Sequence, residues 1–270
     1  MTLRAATTHS VNCAFARTQL AVGFANVIDA AHRMGIEQQT LQPVLTLTLG
    51  AIESTPLEMA TVAATIANGG TNRPPIFVRQ ITTSDGTVVF DAKDVPGERV
   101  IPADVAACEI DLLRGVIAGG TGTAAGLGER PVAGKTGTTD EKTDANFLGF
   151  TPQLATFVWH GNALARIPGA GFGGDIPARI FQAFMSRALA GTPFEPFPDP
   201  GPVCARPGNL IANAGRVTAA PTAPTTTVPV APVAPTPTPL PPPTTLPPPT
   251  TLPTTPPTTQ PTTPGATADP

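Results

Sequence analysis

Between Asn12 and Gly35, Phe15, Leu20, Phe24, Val27, Ile28 and Ala31 recur near helical spacing. The pattern predicts a helix or a helix pair closed by Gly35. Residues 45–49 alternate leucine with threonine, the signature of a short strand or an extended loop. Ser54-Thr55-Pro56-Leu57-Glu58 joins a hydroxyl cap, a proline at the first helical position and an acid in the first turn. A helix should therefore start there, run to Ala67 and stop at Asn68-Gly69-Gly70. Residues 76–83 and 87–90 flank Ser84-Asp85-Gly86, a hairpin signal. Pro102 opens another helix, with Val105, Ile110, Leu112, Leu113, Val116 and Ile117 apolar, ending at Gly119-Gly120. A glycine-rich stretch, 120–128, follows. Residues 132–139, 146–150 and 154–159 read as strands whose connections are too short for helical crossovers, so they should be antiparallel. A last helix, 177–189, is predicted to bury Ile180, Phe181, Phe184, Met185 and Ala188 on one face. Helices followed by an antiparallel strand set and a covering helix make an α+β fold.

Composition changes this picture at one end. Of the 54 residues from Val217 to Pro270, 19 are Pro and 18 are Thr, and Asp269 is the only charge. Such a segment cannot bury enough apolar surface to offset its ordering entropy, so 217–270 is expected to be a disordered, Pro/Thr-rich spacer. Residues 193–216 should form a Pro-rich transition, and 1–192 the folded domain. A formal net charge of −3 offers no footprint for nucleic acid. No apolar run reaches membrane-spanning length, and no signal peptide is visible. Cys13, Cys108 and Cys204 are an odd set at wide spacing, read as buried small side chains or free thiols rather than a disulfide. His9, His32 and His160 have no metal-ligand spacing, so no metal or cofactor is expected.

The most informative chemistry surrounds Lys135, in Pro131-Val-Ala-Gly-Lys135-Thr136-Gly137-Thr138-Thr139. A phosphate loop needs glycine six positions before its lysine, but Glu129 stands there and Gly128 misses the register by one. The segment reads instead as an edge strand with Lys135, Gly137 and Thr139 on one side and Thr136 and Thr138 on the other. A cation and hydroxyls there suit a carboxylate, and Gly137 lets another backbone approach. A solvated Lys/Thr strand fits the same residues. Ser10-Val11-Asn12 precedes a helix and, alone, reads as an N-cap.

Together, Ser-x-Asn and Lys-Thr-Gly are the second and third signatures of the serine acyltransferases that react with penicillin. With SVNCAF, TLTLGAIESTPLEMATVAATIANGG, LLRGVIAGGTGTAAGL, RPVAGKTGTT and NFLGFTPQLATFVWHGN in order, residues 7–190 resemble the C-terminal part of the transpeptidase domain of an actinobacterial class A penicillin-binding protein. The resemblance implies a partial penicillin-binding (β-lactamase-like) fold and a D,D-transpeptidase that cross-links peptidoglycan stem peptides and is acylated by β-lactams. It implies that Ser10 relays a proton, Asn12 holds the substrate amide and Lys135 supports Ser10. Thr136 and Thr138 would hold the terminal carboxylate, Gly137 would give clearance, and the Thr138 N–H would serve the oxyanion. Location would be extracytoplasmic, at the membrane or cell wall. The nucleophile's Ser-x-x-Lys has no counterpart: three positions after Ser10, Ser54, Ser84 and Ser186 stand Cys13, Leu57, Thr87 and Leu189. The chain is thus expected to be an inactive fragment, from a truncated gene or a late start. The alternatives are a non-catalytic remnant or a peptide- or partner-binding module and, behind these, a β-lactamase.

Overall fold

Thr2 caps the first helix, α1 (Leu3–Thr8), by accepting the Ala5 N–H at 3.2 Å. The hydrophobic pattern carries no signal for α1, because its buried residues are Ala6 and Thr7. In this computed structural model, residues 1–37, 41–92, 95–202 and 204 are described. They fall within one unit, Met1–Pro221, and the expected spacer 217–270 lies outside the described residues.

The predicted helix pair is α2 (Asn12–Val22) and α3 (Phe24–Arg33), broken at Gly23 with φ 89°. Gly35, at φ 110°, follows α3, and the Ile36 N–H returns to the Ala31 carbonyl at 3.1 Å, burying Ile36. Of the short strand or extended loop expected at 45–49, the strand is not formed; Leu47–Leu49 is a 3₁₀ turn. Gln19, fully buried, donates to the Val44 carbonyl at 2.8 Å and accepts the Thr48 N–H at 2.9 Å. Those side-chain bonds satisfy backbone groups that strand pairing would otherwise have used.

Helix α4 (Pro56–Ala67) starts where predicted. Thr55 accepts the Glu58 N–H at 3.2 Å and Glu58 accepts the Thr55 N–H at 2.7 Å, a complete capping box with proline in the first turn. Two small ribbons follow. β1 (Thr71–Asn72) pairs with β4 (Glu98–Arg99), and β2 (Gln80–Thr82) pairs with β3 (Val88–Asp91) around the predicted turn, β2 shorter than the sequence suggested and β3 shifted by one residue. Helix α5 (Ala103–Gly119) buries Ala106, Ala107, Ile110, Leu112, Leu113 and Val116.

The last strands, β5 (Ala133–Thr138), β6 (Asp144–Phe150) and β7 (Ala155–Gly161), form an antiparallel sheet in that order. Helix α6 (Ile176–Ala188) completes the order of elements. Period two along β6 divides the core. Leu148 and Phe150 pack with Ala63 and Ile66 of α4 and Ile110 and Leu113 of α5. On the other face, Phe147 packs with Ala178, Phe181 and Met185 of α6 and with Leu189 just beyond it. The Phe147 and Phe181 ring centroids are 4.9 Å apart, and a side chain at Gly149 would strike both rings. The face of α6 predicted from sequence is partly wrong. Phe181 and Met185 are buried, but Ile180, Phe184 and Ala188 are exposed, and Ala178 takes their place. Helical spacing identifies a stripe, yet only the neighbouring sheet selects which edge of it is covered.

The reading of the cysteines is also corrected. Cys108 on α5 and Cys204 are joined as a disulfide, while Cys13 is free and exposed. Their separation of 96 residues hid the pairing, because the two meet only after α6 and the following segment fold back over α5.

Candidate active site

Ser10 reaches the site through the end of α1. Its N–H bonds the Thr7 carbonyl at 3.2 Å, and the Val11 N–H bonds the Ala6 carbonyl at 3.0 Å, the paired closure of a Schellman cap. Ser10 stands where such caps usually place glycine and has φ 55°. It does not cap α2: Val11 is the N-cap residue, with no side-chain bond, and Asn12 is the exposed first residue of that helix.

Opposite, β5 presents Lys135. Its Nζ donates to Ser10 Oγ at 2.7 Å and to the Thr136 carbonyl at 2.9 Å. Residues 125 apart in sequence thus meet directly. Burial of the ammonium lowers the Lys135 pKa from 10.5 to about 8, because a desolvated cation favours its neutral form. Gly134 and Lys135 pair with Gly149 and Leu148 inside the sheet, which rules out a phosphate loop opening a helix.

The alternation expected along β5 holds. Thr136 and Thr138 turn to the face away from Lys135: the Thr136 hydroxyl lies 2.7 Å from the Thr121 hydroxyl, and the Thr138 hydroxyl accepts the Gly173 N–H at 3.1 Å. Thr138 is exposed at the open end of the strand. The clearance at Gly137 is used by the protein itself. A side chain there would come within 2.2 Å of Asn146 Oδ1, and one at Gly173 would come within 2.4 Å of the Gly137 carbonyl. The backbone that approaches Gly137 is therefore the segment entering α6.

Thr121 is the residue that sequence reasoning missed. Its N–H bonds the Thr8 carbonyl at 3.3 Å, its hydroxyl meets Thr136, and its carbonyl would lie 2.2 Å from a side chain at Gly174. One residue thus touches the helix end that carries Ser10, the Lys-Thr-Gly strand and the approach to α6. The available signal was the pair of flanking glycines. A side chain at Gly120 would strike the Thr8 carbonyl at 2.3 Å, and one at Gly122 would crowd Phe147 and Val116. Among the described residues no group of three or more His, Cys, Asp and Glu could hold a metal ion.

A serine hydroxyl just past a helix end, hydrogen-bonded to a partly buried strand lysine beside threonines on an edge strand, is the arrangement of the penicilloyl serine acyltransferases. Residues 1–186 match the penicillin binding protein transpeptidase domain, and the chain belongs to that family. It is 34% identical over 215 residues to penicillin-binding protein 1A of Aquifex aeolicus, covering 79% of this chain and 28% of that protein. To penicillin-binding protein 1A of Mycobacterium tuberculosis it is 34% identical over 219 residues, covering 71% of this chain and 27% of that protein. Among solved structures, PonA1 of Mycobacterium tuberculosis in complex with penicillin V superposes with a TM-score of 0.66 at 31% identity, covering 73% of this chain and 58% of that one. Penicillin-binding protein 1A of Haemophilus influenzae gives 0.65 at 26% identity, covering 74% and 36%. The chain therefore spans under a third of those two curated relatives. No helix among the described residues is long and apolar enough to cross a membrane.

Proposed function

We propose that this chain supplies the Ser-x-Asn and Lys-Thr-Gly walls of a peptidoglycan D,D-transpeptidase site, the part that orients a stem peptide ending in D-Ala-D-Ala, and β-lactams as its mimics. The observation that carries the reading is the 2.7 Å contact between Lys135 Nζ and Ser10 Oγ, formed by two motifs at opposite ends of the domain. Lys135 donates to Ser10, so the serine's own proton is free to pass across the cleft to a leaving amine. The partly buried ammonium raises the local positive potential where a terminal carboxylate would sit. Thr136 and Thr138 flank that position, Asn12 bonds the substrate amide, and the Thr138 N–H donates to the developing oxyanion. Gly137 leaves room for the Asn146 side chain and the Gly173 backbone to crowd the strand. Stem peptides are the natural ligand class. An extracytoplasmic location follows from that substrate and agrees with the Cys108–Cys204 disulfide.

No serine of this chain is followed three positions on by lysine, so acyl transfer is not assigned to any of its residues. The expected behaviour is non-covalent binding. Titration of the isotope-labelled chain with an N-acylated D-Ala-D-Ala peptide should shift the amide signals of Ser10, Lys135 and Thr138 saturably, and Lys135→Ala should abolish the shift. Millimolar ligand leaving those amides unmoved would overturn the reading. Incubation with a fluorescent penicillin should leave the chain unlabelled; a covalent adduct would show that another residue acts as nucleophile and would remove the binding-only assignment.

A further inference from the structure

The segment after α6 is held against the domain by a chain of specific contacts. Arg130, buried just ahead of β5, donates through Nη2 to the Leu189 and Thr192 carbonyls at 3.2 and 2.7 Å and through Nη1 to the Pro193 carbonyl at 3.1 Å. Gln153, in the β6–β7 turn, donates to the same Pro193 carbonyl at 2.7 Å. The Arg130 guanidinium lies 4.5 Å over the Phe194 ring. Phe197 then meets Phe150 edge-on at 5.8 Å and joins the α4–α5 side of the core. A cavity of about 350 Å³ remains beneath, lined by Arg114, Glu129, Pro131, Phe194, Pro196 and Phe197 among others. The run ends at Cys204, bonded to Cys108 of α5.

We propose that residues 193–204 are a strap and that the Cys108–Cys204 bond is its redox-dependent latch. Among the described residues between Phe197 and Cys204, the hydrogen bond shown is internal to the strap. Three prolines, Pro198, Pro200 and Pro202, and a turn in which Asp199 accepts the Gly201 N–H at 2.7 Å occupy that stretch, and the cavity leaves Phe194 and Phe197 partly unsupported. The disulfide is thus what fixes the far end. The helix it grips matters: α5 packs on β5, which carries Lys135, and on α1, which presents Ser10. Closing the latch joins two thiols as one disulfide. The two electrons and two protons pass to an oxidant of the thiol–disulfide oxidoreductase class, or to oxidised glutathione, whose own disulfide becomes two thiols. Such oxidants prevail outside the cytoplasm, so the strap is expected to close only after export. Cys13, exposed one residue after Asn12, is left as the free thiol. The proposal is independent of the transpeptidase reading.

The test uses the full chain folded in a glutathione redox buffer, denatured without reductant and treated with a maleimide. Intact mass should show one label, and three after reduction, with a Cys108–Cys204 linked peptide in the digest. Three labels without reduction, or a linked peptide containing Cys13, would overturn the assignment. In the native state, reduction should speed protease cleavage within 193–204 by about tenfold or more, as expected for a segment released to local opening. Cys13→Ser should keep that response, and Cys108→Ser should be cleaved fast with or without reductant. A cleavage rate that reduction and Cys108→Ser both leave unchanged would show that the strap needs no latch.

Discussion

Ser10 illustrates how a candidate functional group can be placed at a local cost. The Schellman closure of α1 puts a serine in the left-handed region, at φ 55°, and so aims its hydroxyl at Lys135. A non-glycine residue pays about 1–2 kcal/mol for that conformation. Ser10→Gly should therefore be more stable than Ser10→Ala by about 1 kcal/mol in denaturant unfolding, although both lack the hydroxyl. Equal stabilities would mean that the cap does not strain the residue. Lys135 gives a pH test. Its folded pKa is lowered to about 8 by burial, so between that value and 10.5 the unfolded chain binds more protons than the folded one. Its contribution to stability must then rise with pH across this window. From pH 7 to pH 10 the wild type should gain stability relative to Lys135→Met, and a constant difference would refute the shift. Carboxylate binding should move the opposite way, weakening as the ammonium discharges above about 8.

At the scale of elements, the sheet is held by what its two faces bury. Phe147, Phe150 and Phe181 are fully buried, and each is worth about 1.5–3 kcal/mol of transfer free energy. The edge between β5 and α6 depends instead on Arg130. It satisfies carbonyls at the C-terminal end of α6, where a cation also complements the helix dipole. Lysine cannot reproduce the planar fork that reaches Leu189, Thr192 and Pro193 together. Arg130→Lys should cost about 1–3 kcal/mol, the range for buried acceptors left unpaired. Thermal unfolding checks this, and a Tm within a degree of wild type would show that water replaces the guanidinium. A shared origin is visible in the glycines. Those at 120, 122, 137, 173 and 174 lack side chains because other segments pass within contact of them, and those segments are the ones that assemble the site.

For the molecule as a whole, the candidate active site and the proposed strap share α5 as their support. Ser10 lies beyond α1 on one side of it, Lys135 on β5 on another, and Cys108 on the helix itself. An effect of reduction on ligand binding would pass through that helix rather than through direct contact.

Much of this was legible in the chain. The capping box of α4, the end of α3 at Gly35 and the antiparallel order of the last three strands depend on neighbours within a few residues, and short-range signals suffice for them. Ser10, Asn12 and Lys135 were legible as motifs, and the strand alternation separated Lys135 from Thr136 and Thr138. What the sequence could not determine was every feature whose partner is distant. The 3₁₀ turn at 47–49 depends on Gln19, the exposed edge of α6 on the sheet, Thr121 on Thr136, and the disulfide on a partner 96 residues away. Local propensity sets which elements form. Only their packing brings remote polar groups within bonding distance, and it is there that Ser10 and Lys135 become a candidate site.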